Sequence, residues 1–151
     1  MTRVMTRVLV IDDQPDVRAM ICMVLRVKHF DVTEAAGAAA GLKMLDASAF
    51  DVAIVDVFLG NANGFDVIAA MREKVPDLPA VAISGMASFD MRHAAELSNV
   101  VCLRKPFRPT ELIRAIEKAR GRRPTMPRIS LRKRRCLNSE KNAPLCGAFE
   151  V

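Results

Sequence analysis

The chain contains no tryptophan and no tyrosine, and its 7 phenylalanines are its whole aromatic content. No apolar run is longer than Ala19–Leu25, far short of the roughly 18 residues a membrane-spanning helix requires. The N-terminus also lacks a long apolar stretch ending in a small-residue cleavage site, so no secretory signal is read and the protein is expected in the cytoplasm. Cysteine is sparse and scattered: Cys22, Cys102, Cys136 and Cys146 show no CxxC-type spacing. That excludes a readable zinc site or disulfide framework and leaves free, reduced thiols.

What is present is a globular composition. Of 151 residues, 51% are hydrophobic and 26% charged, which excludes wholesale disorder and collagen-like structure and fits one domain with room for a tail. The net charge of +6 would imply an anionic partner if it were spread evenly. It is not, because acids and bases balance over residues 1–121 and the entire excess falls in 122–151.

Short apolar runs alternate with segments of helical period, the signature of βαβ units around a parallel sheet. The expected strands are Val8–Ile11, Asp31–Thr33, Val52–Val55, Ala80–Ile83 and Val100–Leu103. Most are apolar without alternation, as strands covered on both faces should be. Asp31–Thr33 is the most polar and is expected at an edge. Val17, Met20, Ile21, Val24 and Leu25 recur at helical spacing, as do Ala38, Leu42 and Leu45. Further helices are expected from Gly64, over Asp90–Leu97 and over Pro109–Arg120, with Pro109 suited to a first turn and Gly121 to the stop. The fold class is α/β: a doubly wound, five-stranded parallel sheet with (βα)5 order. On such a fold the active site lies at the carboxyl ends of the strands.

Residues 1–121 form that domain, and 122–151 read as a flexible basic tail. Prolines stand at 124, 127 and 144, and Arg132-Lys133-Arg134-Arg135 repel one another. The tail is too short for a helix-turn-helix domain. It could bind nucleic acid or an anionic surface through its clustered charge, but its only aromatic is Phe149. At the other end Met1–Val4 is repeated as Met5–Val8, so Met5 is a candidate start.

The strand ends carry the chemistry. The first ends in Asp12-Asp13, the third in Asp56, the fourth in Ser84-Gly85, and the fifth in Arg104-Lys105-Pro106. Three carboxylates in one cleft raise one another's pKa unless a cation joins them. A divalent hard cation is the simplest remedy, and Mg2+ takes oxygen ligands, typically one or two carboxylates plus a phosphate oxygen. The Ser84 hydroxyl and the Lys105 ammonium complete a set suited to a phosphoryl group. Asp56, central on the middle strand, is placed to be the nucleophile that forms an aspartyl phosphate. Asp12 and Asp13 remain to hold the metal.

From about Arg7 to Arg120 the chain resembles the receiver domain of two-component response regulators, of the stand-alone, chemotaxis-regulator-like kind. The matching motifs are Val10-Ile11-Asp12-Asp13; Asp56 with Leu59, Asn63 and Gly64; Ala82-Ile83-Ser84-Gly85; and Arg104-Lys105-Pro106-Phe107. Each sits at a strand end, in the family's order. The resemblance implies a flavodoxin-like receiver fold and Mg2+-dependent phosphorylation of Asp56 by a histidine kinase or histidine phosphotransfer protein. It further implies metal ligation by Asp12, Asp13, Asp56 and the main-chain carbonyl of Phe58. Ser84 is implied to bond the phosphoryl oxygen and Lys105 to pair with the phosphate. A cis bond is expected before Pro106, where proline makes it accessible.

Three departures from the family pattern stand out. Cys102 occupies the position three before the lysine where the family usually has an aromatic switch residue. Gly60 replaces a common proline, which loosens the loop after Asp56. Phe58 and Met86 are bulky apolar groups where the family tunes access of the attacking water, so slow autodephosphorylation is expected.

Other features have plain structural readings. Met20, Met23, Met44 and Met71 read as core filler. His29 and His93 lie on helix surfaces or ends. Asp16 serves the start of a helix. An aspartate-nucleophile phosphohydrolase of the haloacid dehalogenase type would need a second acid two residues past the nucleophile, where this chain has Phe58. A flavodoxin-like FMN site would need a hydroxyl- and Gly-rich first loop, where Asp13-Gln14-Pro15-Asp16 would repel its phosphate. The expected function is a stand-alone response regulator, not an enzyme on an external substrate. It would signal through a downstream protein target as a monomer or phosphorylation-dependent dimer.

Overall fold

The computed structural model describes residues 4–85 and 89–121. Met86 and the tail, 122–151, lie outside the described residues. The elements in chain order are β1 (Arg7–Ile11), α1 (Pro15–Val27), β2 (Asp31–Ala35), α2 (Ala38–Ala47), β3 (Val52–Asp56), β4 (Phe58–Leu59), β5 (Ala62–Asn63), α3 (Gly64–Lys74), β6 (Ala80–Ser84), α4 (Phe89–Leu97), β7 (Val101–Arg104) and α5 (Pro109–Gly121).

Five strands form one sheet in the order β2-β1-β3-β6-β7, with every pair parallel. β2 lies at an edge, as its polarity implied. The chain moves outward from β1 to β2, then returns past β1 to β3, so the strand order reverses between β1 and β3. At that switch point the loops leave in opposite directions and open a crevice.

The unbroken apolar runs follow from burial on both sides. Val8, Val10, Ile54, Val81 and Ile83 face α1 and α5, where Ile21, Leu25, Leu112 and Ile116 complete a core. Leu9, Ile11, Ala53, Val55 and Ala82 face the other way, against Leu45, Val67, Ile68 and Met71 of α2 and α3. Only the outer strand β7 alternates, burying Val101 and Leu103 and exposing Cys102 and Arg104.

Helix ends obey local rules. Pro15 opens α1 with Asp16 in its first turn and Arg26 in its last, both favourable to the helix dipole. His29 follows α1 at φ 66°, in a turn where its N–H reaches the Arg26 carbonyl and that of Phe30 the Leu25 carbonyl. Asn63 caps α3 by accepting from the Phe65 N–H at 2.8 Å. Gly121 is the last residue of α5, inside the helix.

The methionines divide. Met71 is fully buried and Met44 packs against the core, but Met20 and Met23 are 42% and 66% exposed. The apolar run of α1 is wider than the face a helix can lay on a sheet. Ile21, Cys22 and Leu25 take the buried positions and the two methionines fall outside. Among the described residues, Cys22 and Cys102 are free, and burial pushes the Cys22 thiol up to about 11. No described helix is long and apolar enough to cross a membrane.

One side chain ties the far half of the sheet together. Arg72 of α3 donates to the carbonyls of Leu78 and Asn99, each at 3.1 Å, and to that of Ser98. It thereby joins the end of α3, the approach to β6 and the turn between α4 and β7. Arg72→Met strips these partly buried carbonyls of their donor, and a destabilisation of about 1–3 kcal/mol is expected in denaturant unfolding.

Candidate functional site

Asp12 and Asp13 follow β1, and Asp56 ends β3, so the switch point brings them together. Their carboxylate oxygens lie within 4.8 Å of one another. Asp12 and Asp56 are 1% and 5% exposed, while Asp13 faces solvent. Lys105, directly after β7, extends its Nζ to 3.3 Å from Asp56 Oδ2 and 3.8 Å from Asp12 Oδ2. The Lys105–Pro106 bond is cis, and the Lys105 N–H donates to the Ser84 carbonyl at 2.8 Å. Ser84 ends β6 beside this turn and is buried.

Each buried acid is aimed by its own loop. Asp12 Oδ1 accepts from the Gln14 N–H at 2.9 Å. Asp56 Oδ1 accepts from the Phe58 N–H at 3.3 Å, which brings the Phe58 main chain to the edge of the cluster while its ring is 55% exposed. Asp12 Oδ2 is buried with no hydrogen-bond partner. Burial raises the Asp12 pKa most, and the charges of Asp56 and Asp13 raise it further against the lowering by the Gln14 N–H and Lys105. One lysine does not offset three carboxylates. An orphaned carboxylate oxygen among three hard oxygen donors fits a small divalent cation.

Glycine makes two approaches possible here. A Cβ on Gly64 would stand 2.3 Å from the Asp56 carbonyl oxygen and 2.7 Å from Val57 Cα, so only glycine lets α3 start against the strand that carries Asp56. Gly60, at φ 56°, turns the short antiparallel β4–β5 hairpin, a conformation other residues adopt at a cost.

The structure brings Asp12, Asp13, Asp56 and Lys105 together, with the Phe58 N–H bonded to Asp56, the Ser84 carbonyl accepting from the Lys105 N–H and Pro106 joined to Lys105 by the cis bond. Cys102 is not among them; it is exposed on β7, in register with Ala82. His29 ends α1 and His93 is exposed on α4. Sequence reasoning missed the β4–β5 hairpin, whose strands are two residues each, and the bond from Arg18 Nη1 to the Asp12 carbonyl at 2.7 Å. Neither has a periodic signal.

Buried acids at a β1/β3 switch point, with a lysine reaching in from a third strand end, form a charged crevice that fits a hard cation. Comparison with known proteins names the class. The response regulator receiver domain matches residues 8–117, and the chain belongs to that family. It is 33% identical over 131 residues to the regulatory protein VirG of Rhizobium rhizogenes, covering 85% of this chain and 54% of VirG. The chain thus spans about half the length of that relative. The chemotaxis protein CheY4 of Vibrio cholerae superposes with a TM-score of 0.72 at 25% identity, covering 77% of this chain and 99% of CheY4. The response regulator TrrA of Thermotoga maritima, solved with Mg2+ and beryllium fluoride, has the same fold, with a TM-score of 0.69 at 22% identity over 76% of this chain and 99% of TrrA.

The electrostatic burden on Asp12 gives a signed prediction. A folded-state pKa raised above 3.8 contributes stability at low pH that is lost as pH rises through the raised value. At neutral pH, Asp12→Asn therefore stabilises the metal-free protein by an amount on the order of 1 kcal/mol, which raises its melting temperature. The gain shrinks as pH falls toward 3.8. Thermal unfolding of the metal-free protein over pH checks both.

Proposed function

We propose that this receiver accepts a phosphoryl group on Asp56 from a histidine kinase or histidine phosphotransfer protein and signals by altered contacts with a downstream protein. The single observation that carries this reading is the convergence of Lys105 Nζ on the carboxylates of both Asp56 and Asp12. A structural ion pair needs one acid. A lysine set between two buried acids beside a buried hydroxyl residue suits an anion of higher charge than either partner.

Asp12, Asp13 and Asp56, with the Phe58 main-chain carbonyl, would hold Mg2+, as the acidic pocket of receiver domains does. When bound, the ion offsets the charge of the incoming phosphoryl oxygens. An Asp56 oxygen bonds to phosphorus as the bond from phosphorus to the donor's imidazole nitrogen breaks, and the imidazole leaves. Lys105 then pairs with a phosphoryl oxygen in place of the free carboxylate, and the Ser84 hydroxyl donates to another. Drawing these two groups inward biases a pre-existing equilibrium of the α4 and β7 face that contacts the partner. The exposed Phe58 ring stands at the mouth of the site, where it hinders the approach of hydrolytic water to the acyl phosphate.

Intact-mass spectrometry after incubation with a small phosphodonor and Mg2+ tests the reading. One phosphoryl mass gain is expected, absent in Asp56→Ala and abolished by a chelator. A gain that persists in Asp56→Ala contradicts the assignment. A second outcome concerns lifetime: Phe58→Asn is expected to shorten the half-life of the phosphorylated form severalfold in the same assay.

A further inference from the structure

The main chain of Asp12 is held by residues that phosphoacceptor chemistry does not use. Its N–H donates to the Ala35 carbonyl at 3.2 Å, one step past the Ile11↔Ala35 pair that ends the β1·β2 ladder. Its carbonyl accepts from Arg18 Nη1 at 2.7 Å. The same guanidinium donates through Nε to Glu34 Oε1 at 3.2 Å, and Glu34 precedes Ala35 on β2. Strand, peptide and helix therefore form a closed ring of bonds around the Asp12 backbone.

Arg18 is itself well placed to be rigid. Its N–H donates to the Gln14 carbonyl at 3.0 Å, and Gln14 in turn donates to Asp12 Oδ1. Its side chain is 18% exposed, so most of it is withdrawn from water. Glu34 balances its charge, with Arg26 Nη2 more loosely placed at 3.5 Å. Arg18 therefore adds geometry to the cluster and little net field. With N–H, C=O and Oδ1 of Asp12 all engaged, the acceptor left over is Oδ2, the buried oxygen without a hydrogen bond. That oxygen faces Lys105 within the cluster formed with Asp13 and Asp56.

We propose that Arg18, clamped by Glu34, is a positioning residue for the cation site: it fixes the Asp12 peptide so that Oδ2 is presented to the metal. The inference rests on reading the acidic cluster as a Mg2+ site. Guanidinium geometry is essential to it, because one planar fork serves a carbonyl and a carboxylate at once, which an ammonium does less well.

Isothermal titration of the full chain with Mg2+ tests this. Arg18→Met is expected to weaken Mg2+ binding about tenfold, the scale on which supports of metal ligands act. Arg18→Lys should recover only part of the loss, and Glu34→Gln, which keeps an acceptor for Nε, should lose less than Arg18→Met. Arg26→Met touches Glu34 but not Asp12 and should leave affinity unchanged. A purely structural role would lower the melting temperature of the metal-free protein and leave the affinity of the folded fraction alone. Wild-type affinity in folded Arg18→Met, or equal weakening by Arg18→Met and Arg26→Met, overturns the inference. If Arg18→Met does not fold, wild-type affinity in both Arg18→Lys and Glu34→Gln overturns it. Failure of the wild type to bind Mg2+ defeats the cation-site reading as well, a result distinct from binding that ignores Arg18.

Discussion

Two carboxylates buried beside a third, with one lysine among them, are the constraint on which the rest of this structure turns. Removing a carboxylate from water is expensive unless it is paired and hydrogen-bonded. The fold keeps Asp12 and Asp56 buried by engaging nearly every other polar atom around them: the N–H groups of Gln14 and Phe58, the carbonyl of Ala35 and the ammonium of Lys105. What it leaves unsatisfied is one carboxylate oxygen. A site that is uncomfortable when empty favours the cation and anion that complete it, since whatever binds the native state also stabilises it.

The doubly wound topology makes this affordable. Parallel strands buried on both faces supply a rigid floor, and the reversal of strand order between β1 and β3 opens the crevice without breaking a core. The two cores are continuous up to the strand ends, so Asp12 and Asp56 project from a floor that resists collapse. Gly64 completes the arrangement by letting the α3 backbone approach the Asp56 peptide more closely than any side chain allows.

Much of this was legible in the sequence. Apolar runs without alternation marked the inner strands, polarity marked β2 as an edge, and the strand-end acids with Ser84 and Lys105 marked the crevice. Such features follow from local pattern and from where a parallel sheet delivers its loops. What escaped had no local pattern. Met20 and Met23 sit in an apolar run that cannot all be buried, and only the packed helix shows that Ile21, Cys22 and Leu25 win the inner face. The β4–β5 hairpin is too short to carry a period. The bonds of Arg18 to Asp12 and of Arg72 to three carbonyls cross between elements, and long-range pairing leaves no mark on spacing. Cys102 was legible as a departure, and it lies exposed on β7.

The acidic crevice and Lys105 together make one site for a cation and a phosphoryl group. A crystal structure of the protein grown with Mg2+ and beryllium fluoride tests it most directly. Fluoride-bearing density is expected on an Asp56 oxygen, with a metal ion among Asp12, Asp13 and Asp56 and Lys105 Nζ moved from the carboxylate to a fluorine. A crevice that stays empty while the fold is intact, or an adduct on another residue, would contradict it.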